Sequence, residues 1–277
     1  MSIADRAIWI IERNSGLSLT VDAIAERCGV SRSHLASAFG SATGTSVIKY
    51  LRSRRLSEAA RSLAQGASDI LTVALDAGYG SHEAFTRAFR DQFGVTPESV
   101  RSSRSVVDLA LTDPLQLSAR AAGTLSPPVP ADEGCVRLVG LREAHSFETI
   151  IAIPAQWQRF MAHYDAIPDK LDRIPTGIGW AADEEGNFSY LCGAEVSAFA
   201  ECPAGLTQLA IPPHAYAVFE HATHVSTLYE TYAQIWNEGL PASGLKPADA
   251  PILERHNPAF DPQTGMGGVK IWIPLGS

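Results

Sequence analysis

The sequence predicts a multidomain chain: an all-α first third built as a double helix-turn-helix, then an α+β domain of two pseudo-symmetric β-α-β-β repeats. Three observations carry that prediction. Apolar residues recur at helical spacing through residues 5–104, and their pattern returns about 50 residues later. A proline-rich stretch from Leu125 to Asp132 cannot be helix and separates this region from the rest. Beyond it, the patterns read strand, helix, strand, strand, twice over.

Bulk properties narrow the class. The 277 residues are 45% hydrophobic and 19% charged, which is enough to bury a core and excludes global disorder. No apolar run approaches the roughly 18–20 residues of a membrane helix, and the first twenty residues lack the order of a signal peptide. Cys28, Cys135, Cys192 and Cys202 are too few and too scattered for a disulfide framework or a metal knuckle. They read as thiols of a cytoplasmic protein. The net charge of −8 argues against nucleic acid only until it is divided. Residues 1–104 carry 13 Lys+Arg and 10 Asp+Glu, a net +3, whereas residues 105–277 carry 9 and 20, a net −11. Phosphate binding depends on local basic density, so the acidic remainder does not veto DNA binding by the first third.

Taken in order, the helical signals are local and chemical. Leu19-Thr20 supplies a hydrophobic staple and an N-cap, with Ile24 as the receiving residue. Gly29 ends that helix, and Val30-Ser31 starts the next with Leu35 as staple partner. A long helix near 45–64 follows. The second pair repeats the first: Gly29 matches Gly78 at offset 49, while Ser31/Ser81, Leu35/Phe85, Phe39/Phe89 and Gly44/Gly94 all match at offset 50. The extra residue falls in the turn Gly78-Tyr79-Gly80. Apolar positions at helical spacing are Ile8, Ile11, Ile24, Leu35, Phe39, Ile48, Leu51, Leu56, Leu63, Leu71, Leu75, Phe85 and Phe89. Residues 105–135 read as a semi-rigid linker between domains at 1–104 and 136–277. After it, 136–141 and 147–153 are β-like, the second ending at Pro154. A helix over 155–166 and strands at 175–182 and 188–197 complete the first round. The second has a strand at 215–220, a helix at 224–238, and strands near 250–256 and 268–274.

In a helix-turn-helix unit the second helix enters the major groove while flanking groups hold phosphates. Ser31 and Ser81 cap those helices and leave amides that can face a phosphate. Arg87, nearly two turns past its cap, has the reach to pair bidentately with guanine. Arg32, Ser33 and Ser37 hold comparable faces in the first unit. Lys49, Arg52, Arg54 and Arg55 on the joining helix, with His82, Arg90, Arg101 and Arg104 in the second unit, complete the candidate DNA surface. Other constellations are weaker. His221 and His224 with His214 lack a carboxylate or thiol at a confirming metal spacing, and Gly265-Met266-Gly267-Gly268 reads as a hairpin turn. No metal or cofactor is expected, and no Ser-His-Asp or Cys-His nucleophile pattern is visible.

These residues carry a resemblance. Tyr50 to Leu56, Val73 to Ser81, Phe85 to Arg90 and Phe93 to Pro97 resemble the DNA-binding domain of the AraC/XylS family of transcription regulators. That implies two recognition helices in successive major-groove segments of one DNA face, with Arg87 matching a base-reading arginine. The first unit departs from the pattern, because Ser37 stands where some relatives place such an arginine; readout would shift to Arg32 or Ser33, or to backbone contacts. Residues 136–277 resemble the GyrI-like effector-binding domain, through Tyr216 to His221, Leu228 to Trp236, Leu240 to Gly244, Pro251 to Arg255 and Ile271 to Pro274. This implies a groove for a bulky apolar, often cationic, small molecule, with Glu254 as the acidic residue. Trp157, Trp180, Tyr190, Phe219, Tyr229 and Trp272 are candidate walls. The implied partners are an operator duplex, a small-molecule effector and RNA polymerase, with no membrane. Two alternatives stay open: a hydrolase with Glu254 as base, and a constitutive DNA-binder whose sensor domain is degenerate.

Overall fold

The computed structural model describes residues 1–14, 19–67, 69–116, 125–171 and 173–276. The described residues of the first region form helices and turns only: α1 Ile3–Asn14, α2 Val21–Cys28, α3 Arg32–Thr43, α4 Val47–Ala64, α5 Ile70–Asp76, α6 His82–Phe93 and α7 Pro97–Ser103. Side-chain caps fix the starts. Thr20, Ser31, Ser46, Asp69, Ser81 and Thr96 each accept from a backbone N–H in the first turn that follows. Losing one such cap costs about 0.5–2 kcal/mol. Gly29, Gly44 and Gly94 end their helices in the left-handed conformation, with φ of 72°, 75° and 71°.

Helix α4 serves both units. Leu51 joins Ile8, Ile11, Ile24, Leu35 and Phe39 in one core, while Leu56 and Leu63 join Ile70, Val73, Phe85, Phe89 and Val100 in the other. Leu71 and Leu75 are not part of this core; both are exposed, because α5 turns Ile70, Val73 and Ala74 inward instead. The short helix offers two apolar stripes, and packing selects the β-branched one.

The expected linker is more ordered than a spacer. Val106, Leu109 and Leu111 pack on the second unit's core, Arg54 donates to the Thr112 carbonyl at 2.8 Å, and the Leu115 N–H donates to Tyr50 Oη at 3.0 Å. Leu125 packs against the first core, and Val129–Glu133 forms strand β1. Proline is tolerated there because β1 is an edge strand.

The remaining elements are β2 Val136–Ser146, α8 Ile153–Met161, β3 Thr176–Gly179, β4 Asn187–Glu195, β5 Thr207–Ile211, β6 His214–His221, α9 Leu228–Gln234, β7 Ile252–His256 and β8 Val269–Pro274. Helix α9 continues into a π-turn at Ile235–Gly239. The β-like run at 147–153 is not a strand. Its isoleucines form a 3-10 turn leading into α8, where Pro154 sits in the first turn and surrenders no hydrogen bond. Both repeats keep the strand, helix, strand, strand order.

All strand pairs are antiparallel, in the order β1-β6-β8-β7-β3-β4-β2-β5, with β3 against β7 at the join between repeats. Only Pro212 and Pro213 separate β5 from β6, although these strands lie near opposite ends of the ladder. Three residue steps reach about 11 Å, so the sheet curls until its ends approach. Its inner face holds Leu138, Ile178, Leu191, Ile211, Tyr216 and Leu253. Its outer face takes α8 over Val139, Tyr190 and Cys192, and α9 with its π-turn over Ala217, Phe219, Ile271 and Ile273. The second of these layers is continuous with the first helix-turn-helix core, so helical region and sheet share one hydrophobic cluster.

Candidate nucleic-acid interface and effector site

The second unit presents an open helix. Within α6 only Phe85 and Phe89 are buried; they pack at 5.5 Å between ring centroids and turn His82, Glu83, Arg87 and Arg90 outward. Ser81 caps it by accepting from the Ala84 N–H at 3.2 Å. Arg87 and Arg90 stand one turn apart on the same side, a geometry suited to one base edge and one phosphate.

The joining helix divides its cations. Arg52 is exposed. Arg54 is only 4% exposed and belongs to the core, paired with Glu12 at 2.7 Å and Glu58 at 3.1 Å. Its hydrogen bonds to Glu12 raise its pKa further. Arg54 is therefore turned into the core, where it clamps α1 to α4. Arg55 is half-buried, donates to the Leu19 carbonyl at 3.1 Å and lies against Gly78, whose φ of +81° a side chain would resist. Arg55 thus bridges the two units rather than projecting outward.

The first unit differs. Every residue of α3 from His34 to Gly40 is buried, including Ser37 at 5% exposure. Ser37 is therefore closed to solvent by packing, and Ser33 is half-buried beside Ser31 Oγ at 3.2 Å. Arg32 pairs with Asp22 at 3.1 Å and with Glu184, and Lys49 pairs with Glu148.

The effector site is built on the sheet's outer face. Cross-strand partners share a face, so the register aligns Cys192, Gly177, Glu254, Ile271 and Phe219 in one row across β4, β3, β7, β8 and β6. Glu254 is 8% exposed, and both its oxygens are engaged. Tyr190 Oη donates to Oε2 at 2.6 Å, and Tyr232 Oη from α9 donates to Oε1 at 2.7 Å. Gly177 makes room, since a Cβ there would overlap the Tyr190 hydroxyl. Burial pushes the Glu254 carboxyl above its usual range, against the pull of the two donors. Burial and the facing carboxylate hold both tyrosines well above theirs. Gln156 of α8 locks the neighbouring strand by donating to the Tyr190 carbonyl at 2.9 Å.

The predicted walls separate accordingly. Tyr190 meets Glu254, and Trp157 lies on the same side, in edge contact with Phe160 and with His256 of β7. Trp180 and Trp272 do not join them: the Trp272 row runs through Leu253 and Ile178 on the inner face, and Trp180 packs there too. Phe219 is core, closed by Gly239 and Leu125. Tyr229 is 43% exposed and bonds to Glu230. Tyr232 is the residue that sequence reasoning missed. It follows Leu228 and precedes Ile235 and Trp236 on one helical stripe, whereas Tyr229 lies off that stripe. His221 is satisfied by Thr231 at 2.7 Å and the His224 carbonyl at 3.0 Å. Gly265 and Met266 close a turn onto Asp261.

Comparison with known proteins supplies the family. A helix-turn-helix domain model matches residues 24–103, and a model of the GyrI-like small molecule binding domain matches residues 135–275, half of the chain. The chain belongs to the AraC-type regulators that carry a GyrI-like domain. It is similar to the transcriptional regulator Rob of Salmonella typhimurium, at 27% identity over 279 residues, covering 95% of this chain and 92% of Rob. The right origin-binding protein of Escherichia coli is 37% identical over 115 residues, 42% of this chain and 39% of that protein. The multiple antibiotic resistance protein MarA of Escherichia coli is 34% identical over 107 residues, 39% of this chain and 84% of MarA. This AraC-type chain is thus a DNA-binding transcription regulator with an effector-binding domain. Among its described residues, no helix is long and apolar enough to cross a membrane.

Proposed function

We propose that this regulator senses a lipophilic aromatic cation at Glu254 and reports it through DNA bound by residues 1–104. Residues 136–277 together with edge strand β1 form the sensor, and the rest of 105–135 connects the two. The observation that carries the reading is the buried carboxylate under two tyrosine hydroxyls. A buried negative charge between aromatic rings favours a ligand that brings the opposite charge on an apolar body. The ligand takes over the carboxylate as the tyrosines swing aside, so binding and local rearrangement are one event. Sensing is favoured over hydrolysis because both Glu254 oxygens already accept hydrogen bonds, and because the transcription regulators it resembles have no need of turnover. Its cysteines are free thiols among the described residues, which suits the cytoplasm. Effector binding is reported either as altered operator affinity or as altered contact with RNA polymerase.

The test uses the whole chain, because the sheet and the first helical unit share a core. Methyltriphenylphosphonium should raise the melting temperature and triphenylphosphine oxide, its neutral relative, should not; at a hundredfold excess over Kd the expected gain is about 2.7 kcal/mol. Equal shifts from both compounds would remove charge pairing from the proposal.

A further inference from the structure

The repeat that organises the helical region lets its two second helices be compared position by position. At the offset of 50, Glu83, Arg87 and Arg90 of α6 correspond to Ser33, Ser37 and Gly40 of α3. Spacings of four and three put each trio on one side of its helix. On α6 that side is exposed and carries two guanidinium groups. On α3 it carries two hydroxymethyl groups and a bare backbone, with Ser37 and Gly40 buried.

What buries it is the rest of the same chain. The Phe147 ring occupies the space a Cβ at Gly40 would need, and Gly186 approaches both Phe147 and Ser46. Further round the helix, the His34 ring bonds to the Trp236 carbonyl at 2.8 Å, and Asn237 donates to the Ala38 carbonyl at 2.9 Å. The cations bordering this surface are paired with carboxylates from beyond the linker, Arg32 with Glu184 and Lys49 with Glu148. A major groove about 12 Å wide admits one helix and little else. With Phe147, the 183–186 turn and the π-turn seated on it, α3 has no free side to insert.

We propose that α3 is a protein-docking helix whose occupant is the chain's own GyrI-like domain, and that α6 alone reads DNA sequence. This rests on the reading of the chain as a DNA-binding regulator and assigns it one reader where the repeat offers two. The small residues on α3 are what close packing against another element requires. Glutamates in the place of phosphates complete the fit.

Site selection by the full chain from a random duplex library tests it. The enriched duplexes should share one informative block confined to one major-groove segment. Arg87→Ala should weaken the best duplex by about tenfold or more, and Ser33→Ala and Ser37→Ala should leave its affinity within about twofold. A second informative block one helical turn away, 10–10.5 bp, or a preference relaxed by Ser37→Ala, would overturn the single reader while leaving the regulator intact. No enrichment at all would sink both. Hydrogen exchange gives a readout independent of sequence preference. Amides of α3 should stay protected when the selected duplex is added, and Phe147→Ala should speed exchange in α3 while sparing α5 and α6. Loss of α3 protection on adding DNA, or no effect of Phe147→Ala, would overturn the docking.

Discussion

The two sheet-covering helices hold equivalent places in the repeats and do different work. Helix α8 lies on β2 and β4, packs Phe160 inward, and seals its half with the Gln156 bonds to His145, Leu141 and Tyr190. Helix α9 is packed on both sides. One side sends Tyr232 to Glu254; the turn beyond it sends Trp236 and Asn237 into the first helix-turn-helix unit. Asn237 accepts from the Ala4 N–H at 2.8 Å and donates to the Ala38 and Ala233 carbonyls at 2.9 Å each, tying three helices together. A duplicated unit can thus keep one copy for architecture and give the other both the ligand carboxylate and the neighbouring domain.

The largest expected effect separates the two helices directly. Trp236→Ala should cost about 3–5 kcal/mol by chemical denaturation and lower amide protection in α1 and α3. Phe160→Ala should cost a similar amount without touching those helices. Identical exchange patterns in the two variants would erase the distinction.

Asn237→Ala comes next. It leaves the Ala4 N–H without its partner, a penalty of about 1–3 kcal/mol for a buried group, while the Ala38 carbonyl keeps the Ser41 hydroxyl. Thermal denaturation of the variant reads it, and a stability within error of the wild type would show that water replaces the amide at no cost.

Glu254→Gln sharpens the comparison at the ligand end. Affinity for methyltriphenylphosphonium should fall by about fivefold or more, equivalent to about 1–3 kcal/mol, measured by isothermal calorimetry on the full chain. The melting temperature should hold or rise, since a buried charge is removed. Tyr232→Phe should shift binding by less, because Tyr190 still donates to the same carboxylate.

The smallest effect is set by pH. Burial holds the pKa of His34, on the α3 side of the junction, and of His221 and His256 below the ordinary value; carbonyl bonds from Trp236, His224 and Pro175 oppose it. Below about pH 6.5, where a histidine in the unfolded chain takes up its proton, the unfolded state binds protons the folded one refuses, and stability falls as pH drops. The raised pKa of Glu254 works in the opposite sense and offsets part of the loss. Urea midpoints at pH 7.5 and 5.5 should therefore differ modestly, and His34→Gln should narrow the gap.

Local chemistry made much of this fold legible. Thr20, Ser31 and Ser81 cap helices because a side chain satisfies an N–H three residues on, and Gly29, Gly44 and Gly94 end them because only glycine relaxes at positive φ. Such signals need no partner distant in sequence. The repeat register survived for the same reason. Face assignments on the sheet were less readable. The run Ile252-Leu253-Glu254 is apolar on both faces because the curled sheet buries both, so alternation cannot tell which side Glu254 takes or whether Trp180 and Trp272 share it. Strand β5 and the ordering of 105–116 depend on long-range packing that no short window contains. The burial of α3 was hidden deepest: Ser37 reads as a weakened reader, and only the placement of Phe147 and Asn237 shows what the helix accommodates.

The near-meeting of the sheet's ends has a consequence for how copies of this chain behave beside one another. An open eight-stranded sheet would offer two long rows of bare amides and carbonyls as templates for stacking. Here the terminal strands are five residues each, one of them interrupted by Pro130, which has no hydrogen to lend. Such margins give the strand of a neighbouring copy little to grip.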